Sequence, residues 1–215
     1  MNSIVYCKQL LKIVEEITSM RFLEYVGIAC IAGIISLTVG YFNDVRAKEQ
    51  ALQKLDSNEL YCMAQNIYHE SGNQSKTGMI AVAHVTMNRV RDSRFPNTVC
   101  EVVFEGPIRE SWKTRNDPDL ADEDRIFYPI KNRCQFSWYC DGKADIIPYP
   151  ENNISWRKAQ DVALEVMAFD RYSGIVEGAT HYHADYVNPR WARHFTLTGT
   201  IGRHKFYRWE RNGQK

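Results

Sequence analysis

Leu60, Met63, Ala64, Ile67 and Tyr68 recur at the i, i+3, i+4, i+7, i+8 spacing of an amphipathic helix. Asp56 followed by Glu59 has the form of a capping box at its start, and Gly72 supplies a stop. The pattern predicts a helix whose last turn carries Glu70, with the chain leaving through Ser71-Gly72-Asn73-Gln74. A second helix is predicted from about Ser75 to Arg91. There Met79, Ile80, Val82, Ala83, Val85, Met87 and Val90 leave little polar face, so it belongs at the centre of the core. Phe95-Pro96-Asn97-Thr98 breaks that run and offers Asn97 or Thr98 as the cap of a short helix through Val99, Val102, Val103 and Phe104. A third strong helix begins at Ser155, carries Trp156, Ala159, Val162, Ala163, Val166, Met167 and Phe169, and stops near Gly174. Beyond it the period changes. Residues 179–187 and 200–209 are rich in aromatic and β-branched types and predict a small β element, with His181, His183 and Asp185 on one face if extended. Residues 106–133 show no period and are expected to be irregular, and the acidic run Asp117, Asp119, Asp122, Glu123, Asp124 reads as a solvated loop face. The fold class expected is mainly α (α+β).

One further apolar stretch stands apart. Tyr25 to Phe42 is eighteen positions without a formal charge, about the minimum that crosses the hydrocarbon core as a helix. No small-residue cleavage site follows it, which favours an uncleaved signal anchor over a removable signal peptide; the alternative is a buried soluble helix. The expected organisation is a cytoplasmic segment over 1–24, a transmembrane anchor over 25–42, a polar helix-favouring stalk over 43–56 and one domain over 57–212. Basic residues balance across the span, Lys8, Lys12 and Arg21 before it and Arg46, Lys48 and Lys54 after it, so charge does not orient it. Cys62, Cys100, Cys134 and Cys140 are an even set able to form two disulfides, and Cys134 with Cys140 would close a short loop; the alternative is burial as small apolar residues. Two disulfides, if formed, would agree with the expected placing of the domain on the extracytoplasmic side of a single-pass cytoplasmic membrane protein.

A length of 215 residues fits one domain plus extra segments, and 44% hydrophobic with 25% charged residues is ordinary globular composition. The net charge of +1 argues against a nucleic-acid binder, which concentrates Lys and Arg. Oligomeric state is not legible. The leading candidate for chemistry is Glu70, at the end of a helix whose other side is apolar and beside a Gly-containing loop that can open a cleft. A partly desolvated Glu keeps its proton near neutral pH and can donate it to a glycosidic oxygen. The alternative is an exposed Glu at a helix end.

YHESGNQSKTGMIAVAHVTMNRV over 68–90, followed by Phe95-Pro96-Asn97-Thr98-Val99, resembles the core of the SleB-type, spore-cortex-lytic family of cell-wall hydrolases. Gln135-Phe136-Ser137, the helix 156–170, Gly178-Ala179-Thr180-His181-Tyr182-His183 and Ile201-Gly202-x-His204-x-Phe206-Tyr207 continue the likeness in order, so it spans about 57–209. The resemblance implies a lysozyme-like helical domain and cleavage of peptidoglycan between N-acetylmuramic acid and N-acetylglucosamine, often as a lytic transglycosylase. It matches the family's catalytic glutamate to Glu70 and implies no cofactor. A single acid suffices for that reaction, which accounts for the lack of an evident second carboxylate; Glu101, Glu105, Asp141 and Asp185 are the possible partners. Gln135, Ser137, Tyr182 and His183 are the candidates for hydrogen bonds to N-acetyl groups and hydroxyls. Trp138 and Tyr139 either stack on sugars or fill core, and Asn88 and Arg89 read as packing beside the second helix. The Cys134 to Cys140 loop and the acidic segment 116–125 depart from the family pattern.

Two rivals remain. A zinc amidase would use His181-x-His183, but no H-E-x-x-H helix is present and His69-Glu70 lacks the following histidine, so no metal site is assigned. A tethered wall-binding module would hold glycan in the same cleft without cutting it.

Overall fold

Asp56 starts the helical core by accepting hydrogen bonds from the backbone N–H groups of Asn58 (2.7 Å) and Glu59 (3.3 Å). The second half of the expected capping box does not form. Glu59 turns away and accepts instead from the backbone N–H of Val99, tying the first helical turn to a later one. The computed structural model describes residues 31–210, and the chain divides into two units, 1–50 and 51–215.

In the first unit, residues 31–50 belong to a helix that runs on to 54, here α1, with Lys48 paired to Asp44 at 3.1 Å. The expected span 25–42 lies partly outside the described residues. Its portion from Ile31 to Phe42 is helical and exposed, and among the described residues no helix is long and apolar enough to cross a membrane. Within the described residues α1 passes from Ile31–Phe42 into the charged Asp44, Arg46, Lys48 and Glu49, and residues 25–30 of the expected span lie outside them.

The second unit holds α2 (Ser57–Ser71), α3 (Lys76–Arg91), α4 (Val99–Val103), β1 (Ile108–Glu110), α5 (Trp112–Arg115), β2 (Phe127–Pro129), α6 (Ile154–Phe169), β3 (His181–Ala184), β4 (Thr196–Ile201) and β5 (His204–Arg208). Short side chains set the helix starts. Ser75 Oγ accepts from Gly78 N, Thr98 Oγ1 from Glu101 N and Asn153 Oδ1 from Trp156 N. Helix α6 ends at Asp170, in the left-handed region at φ 46°, so it stops four residues before the expected Gly174. Helix α3 is buried along most of its length, and Met79, Ile80 and Ala83 pack with Met63 and Ile67 of α2, Val102 of α4 and Val162 and Val166 of α6. The disulfide Cys62–Cys100 links α2 to α4, and Cys134–Cys140 closes a short loop.

The C-terminal sheet is antiparallel in the order β3-β5-β4 and rests on α3 through Ala81, Val85, Val176, Ala179 and Phe206. In the stretch 200–209 the expected β element takes the form of a hairpin: β4 ends at Ile201, the chain turns at Gly202, and β5 returns. Gly202 sits at φ 58° against Gln74, whose side-chain oxygen accepts from Arg203 N at 3.2 Å. Residues 106–133 are likewise less irregular than their composition suggests, because β1 and β2 pair there in register Arg109↔Tyr128.

Candidate active site

Glu70 occupies the last turn of α2, and its placement follows from how that helix ends. Gly72 N–H returns to Tyr68 O at 2.9 Å and Ser71 Oγ donates to Ile67 O at 2.9 Å, so the turn is closed and the loop Gly72–Gln74 leaves at a fixed angle. Gln74 then anchors that loop to the β4–β5 turn and, at 3.2 Å, to His204 Nδ1. The result is an open groove of about 430 Å³ beside Glu70, walled by Tyr68, His69, Gly72, Asn73, Asn153 and Ser155. Tyr68 is held by Asn153, whose Nδ2 donates to its hydroxyl at 3.1 Å. His69 stacks on Trp138 with ring centroids 4.5 Å apart, and burial lowers its pKa, with Asp145 and Asp141 opposing. Trp138 is fixed from behind, its Nε1 donating to the buried Asn66 at 3.0 Å. It therefore serves the core rather than offering an open stacking face.

Behind the groove lies a buried polar group. Burial raises the pKa of Glu70, against the opposing pulls of the Tyr182 hydroxyl and the Arg89 guanidinium. The negative end of the α2 dipole acts in the same direction as burial. Tyr182 Oη is buried and makes no hydrogen bond of ordinary geometry; burial first, and then the nearby Glu70, oppose its ionisation, while the hydroxyl in turn favours that of the acid. Arg89, 4% exposed, donates through Nε to Thr180 O at 2.8 Å and lies over the rings of Phe136 (4.9 Å) and Phe95 (5.4 Å). Its Nη1 has no partner, and it faces Tyr182, Glu105 and Glu70 electrostatically. Glu105 is the second carboxyl of the group: burial raises its pKa, Arg89 opposes, and its Oε2 is unpaired. Unpaired buried donors and acceptors are costly, and the atoms on Tyr182, Arg89 and Glu105 gather about the Arg89 guanidinium, a group not explained by stability alone.

A family model described as cell wall hydrolase matches residues 73–207. The chain belongs to the cell wall hydrolase family. Glu70 stands just before the matched segment, and the helix that carries it leads directly into it. Among curated proteins, the spore cortex-lytic enzyme of Bacillus cereus is 46% identical over 48 residues, which is 22% of this chain and 18% of that enzyme. The alignment thus spans less than a fifth of the relative's length. Two solved structures are similar, each at 25% identity and covering 72% of this chain. The catalytic domain of the germination-specific lytic transglycosylase SleB from Bacillus anthracis is covered over 98% of its length with a TM-score of 0.48. The catalytic domain of the Bacillus cereus SleB protein is covered over 92% with a TM-score of 0.46.

In this cell wall hydrolase the five residues singled out from the sequence do not all converge. Tyr182 comes to Glu70. His183 does not, because successive residues of β3 point to opposite faces of the sheet. Its Nε2 meets Tyr207 Oη at 2.9 Å, its Nδ1 meets Ala184 O at 2.8 Å, and its ring stacks on Tyr207. Gln135 and Ser137 are exposed with free side chains and do not wall the groove; the Gln135 backbone N–H donates to Glu105 O at 3.0 Å, which sets it beside the buried group. His181 is enclosed by Phe95, Trp191, Phe195 and Trp209, and burial, with Arg89 and Arg94, lowers its pKa to about 4. Among the described residues no group of three or more His, Cys, Asp or Glu is placed to hold a metal ion. Sequence reasoning undervalued Arg89 and Glu105. The available signal was a full charge at position 89 within a helix otherwise buried almost throughout.

Proposed function

We propose that this cell wall hydrolase cuts peptidoglycan glycan strands between N-acetylmuramic acid and N-acetylglucosamine as a lytic transglycosylase, with Glu70 as its single acid and base. The observation that carries this reading is that Glu70 is the one carboxyl among the residues walling the groove, and burial favours its protonated form. The protonated carboxyl donates to the glycosidic oxygen as the bond from C1 of the muramic residue breaks. The resulting carboxylate then takes the proton of the muramic C6 hydroxyl, whose oxygen closes on C1 to give an anhydro ring. Tyr182 Oη and Arg89 Nη1, both unpaired beforehand, offer the donors that a newly ionised Glu70 needs. Asn73, Asn153 and Ser155 supply polar contacts for the N-acetyl and hydroxyl groups along the groove. A two-carboxylate glycosidase is the poorer fit, since Glu105 does not wall the groove and its charged neighbour is Arg89.

Segment 25–42 is proposed as the anchor of this domain on the outer side of a cytoplasmic membrane, a reading supported by the two disulfides, which persist in oxidising compartments. Separation of membranes from soluble extract tests that part. Digestion of purified sacculi tests the activity: Glu70→Gln should lower the rate roughly 10²–10⁴-fold, the usual worth of a general acid, while still sedimenting with sacculi. A full digestion rate in the variant would refute the assignment. Sedimentation without digestion by the wild type would make the protein a wall-binding module.

A further inference from the structure

A second pocket, of about 390 Å³, lies on the β1–β2 excursion and is lined by Arg109, Lys113 and Arg115 together with Trp112, Tyr128 and Glu110. Among the described residues the three cations have no acidic partner within ion-pair distance, whereas Glu110 is already neutralised by Arg125 at 3.0 Å. Trp112 is 68% exposed and Tyr128 is 57% exposed, and Tyr128 stands opposite Arg109 in the hairpin register. Five-donor guanidinium forks favour planar carboxylates, and the flanking rings offer apolar faces to the short aliphatic parts that carry them. The base of the excursion is fixed beside the active site, since Gln135 N bonds to Glu105 O at 3.0 Å and Ile130 N to Pro107 O at 2.8 Å. Arg109 follows Glu105 by four positions, a reach of at most ~14 Å even when extended.

We infer that this pocket binds the carboxylates of the peptide stems borne by the glycan strand, and so selects stem-bearing over stem-free regions of the wall. This rests on the proposed action on peptidoglycan. A broad polyanion fits less well. Arg125 also bonds Asp122 at 3.3 Å and Leu120 O at 3.0 Å, holding the acidic run 117–124 beside the pocket, where an anionic membrane surface or a long polyphosphate would meet it. A small carboxylated group inside the pocket would not.

Calorimetric titration of the full-length protein tests the inference, with a disaccharide-tripeptide carrying free carboxylates and the same compound fully amidated as probes. The free-carboxylate probe should bind at least about tenfold more tightly than the amidated one, and Arg109→Ala combined with Arg115→Ala should erase that difference. The preference of the wild type for stem-bearing over stem-free strands in digestion should fall in parallel, while circular dichroism reports an unchanged fold. Equal binding of the two probes would overturn the inference, as would the doubly substituted protein retaining the discrimination. So would loss, in that protein, of binding to phosphatidylglycerol vesicles with no change towards the carboxylated probe. Glu70→Gln separates the two levels: it should bind the probe like wild type, and if it also retained full digestion the catalytic assignment would fail while the pocket assignment stood.

Discussion

Replacing Tyr182 by Phe isolates the influence of one hydroxyl on Glu70. The ring would keep its packing against His204 (4.8 Å between centroids) and Phe206 (5.7 Å). The group removed is buried and without a hydrogen bond of ordinary geometry, so the variant should lose little stability. Tyr182 pulls the pKa of Glu70 down by favouring its ionised form. A full hydrogen bond to a charged group is worth about 1.5–3 kcal/mol, and one pKa unit corresponds to about 1.4 kcal/mol. Because the contact falls short of ordinary geometry, the lower part of that range applies, and removal of the hydroxyl should raise the Glu70 pKa further. The reaction starts from protonated Glu70, so the alkaline limb of its pH profile should move to higher pH. The ionised intermediate also loses a donor, so the plateau rate should drop roughly tenfold. Turbidity loss of sacculi across a pH series, read beside thermal melting, measures both. An alkaline limb that moved to lower pH, or an unmoved profile with an unchanged rate, would refute the electrostatic coupling.

Linkage gives a second expectation. Burial holds the Glu70 pKa above its unfolded value, so the folded state binds more protons across that interval and stability falls as pH rises through it. Glu70→Gln removes the penalty: its melting temperature should exceed that of wild type near neutral pH, and the difference should vanish once pH drops below the ordinary carboxylate range. Breaking the Cys62–Cys100 bridge by Cys100→Ser should cost about 4 kcal/mol by loop entropy, given a sequence separation of 38, and a denaturant midpoint equal to wild type would contradict it. Gly202→Ala should cost about 1–2 kcal/mol at φ 58°, because a Cβ there also meets the Gln74 side chain; urea unfolding that shows no loss would count against this turn geometry.

Helices α2, α3, α4 and α6 were legible because their signals are local, whereas the four-residue α5 was not. Asp56, Ser75 and Thr98 cap through their own side chains, and the apolar spacing over 60–68, 79–90 and 156–169 records which face is buried. Elements fixed by distant partners were not legible. The three-residue strands β1 and β2 are largely exposed and carry no alternation to read. The turn at Gly202 depends on Gln74, more than a hundred positions away. The same limit applied at the site. Tyr182 and His183 look equivalent as adjacent polar aromatics, and it is the pairing of β3 with β5 that sends one to Glu70 and the other to Tyr207. Arg89 looked like a packing residue until Thr180, Phe136 and Glu105 closed around it.

Mass spectrometry of the muropeptides released from sacculi reads the chemistry of Glu70 most directly. Wild-type protein should release anhydro-ended products lighter by one water than their hydrolytic counterparts, and Glu70→Gln should release almost none. Reducing-end products from wild type, or anhydro products from Glu70→Gln at the wild-type rate, would contradict a single buried acid acting without water.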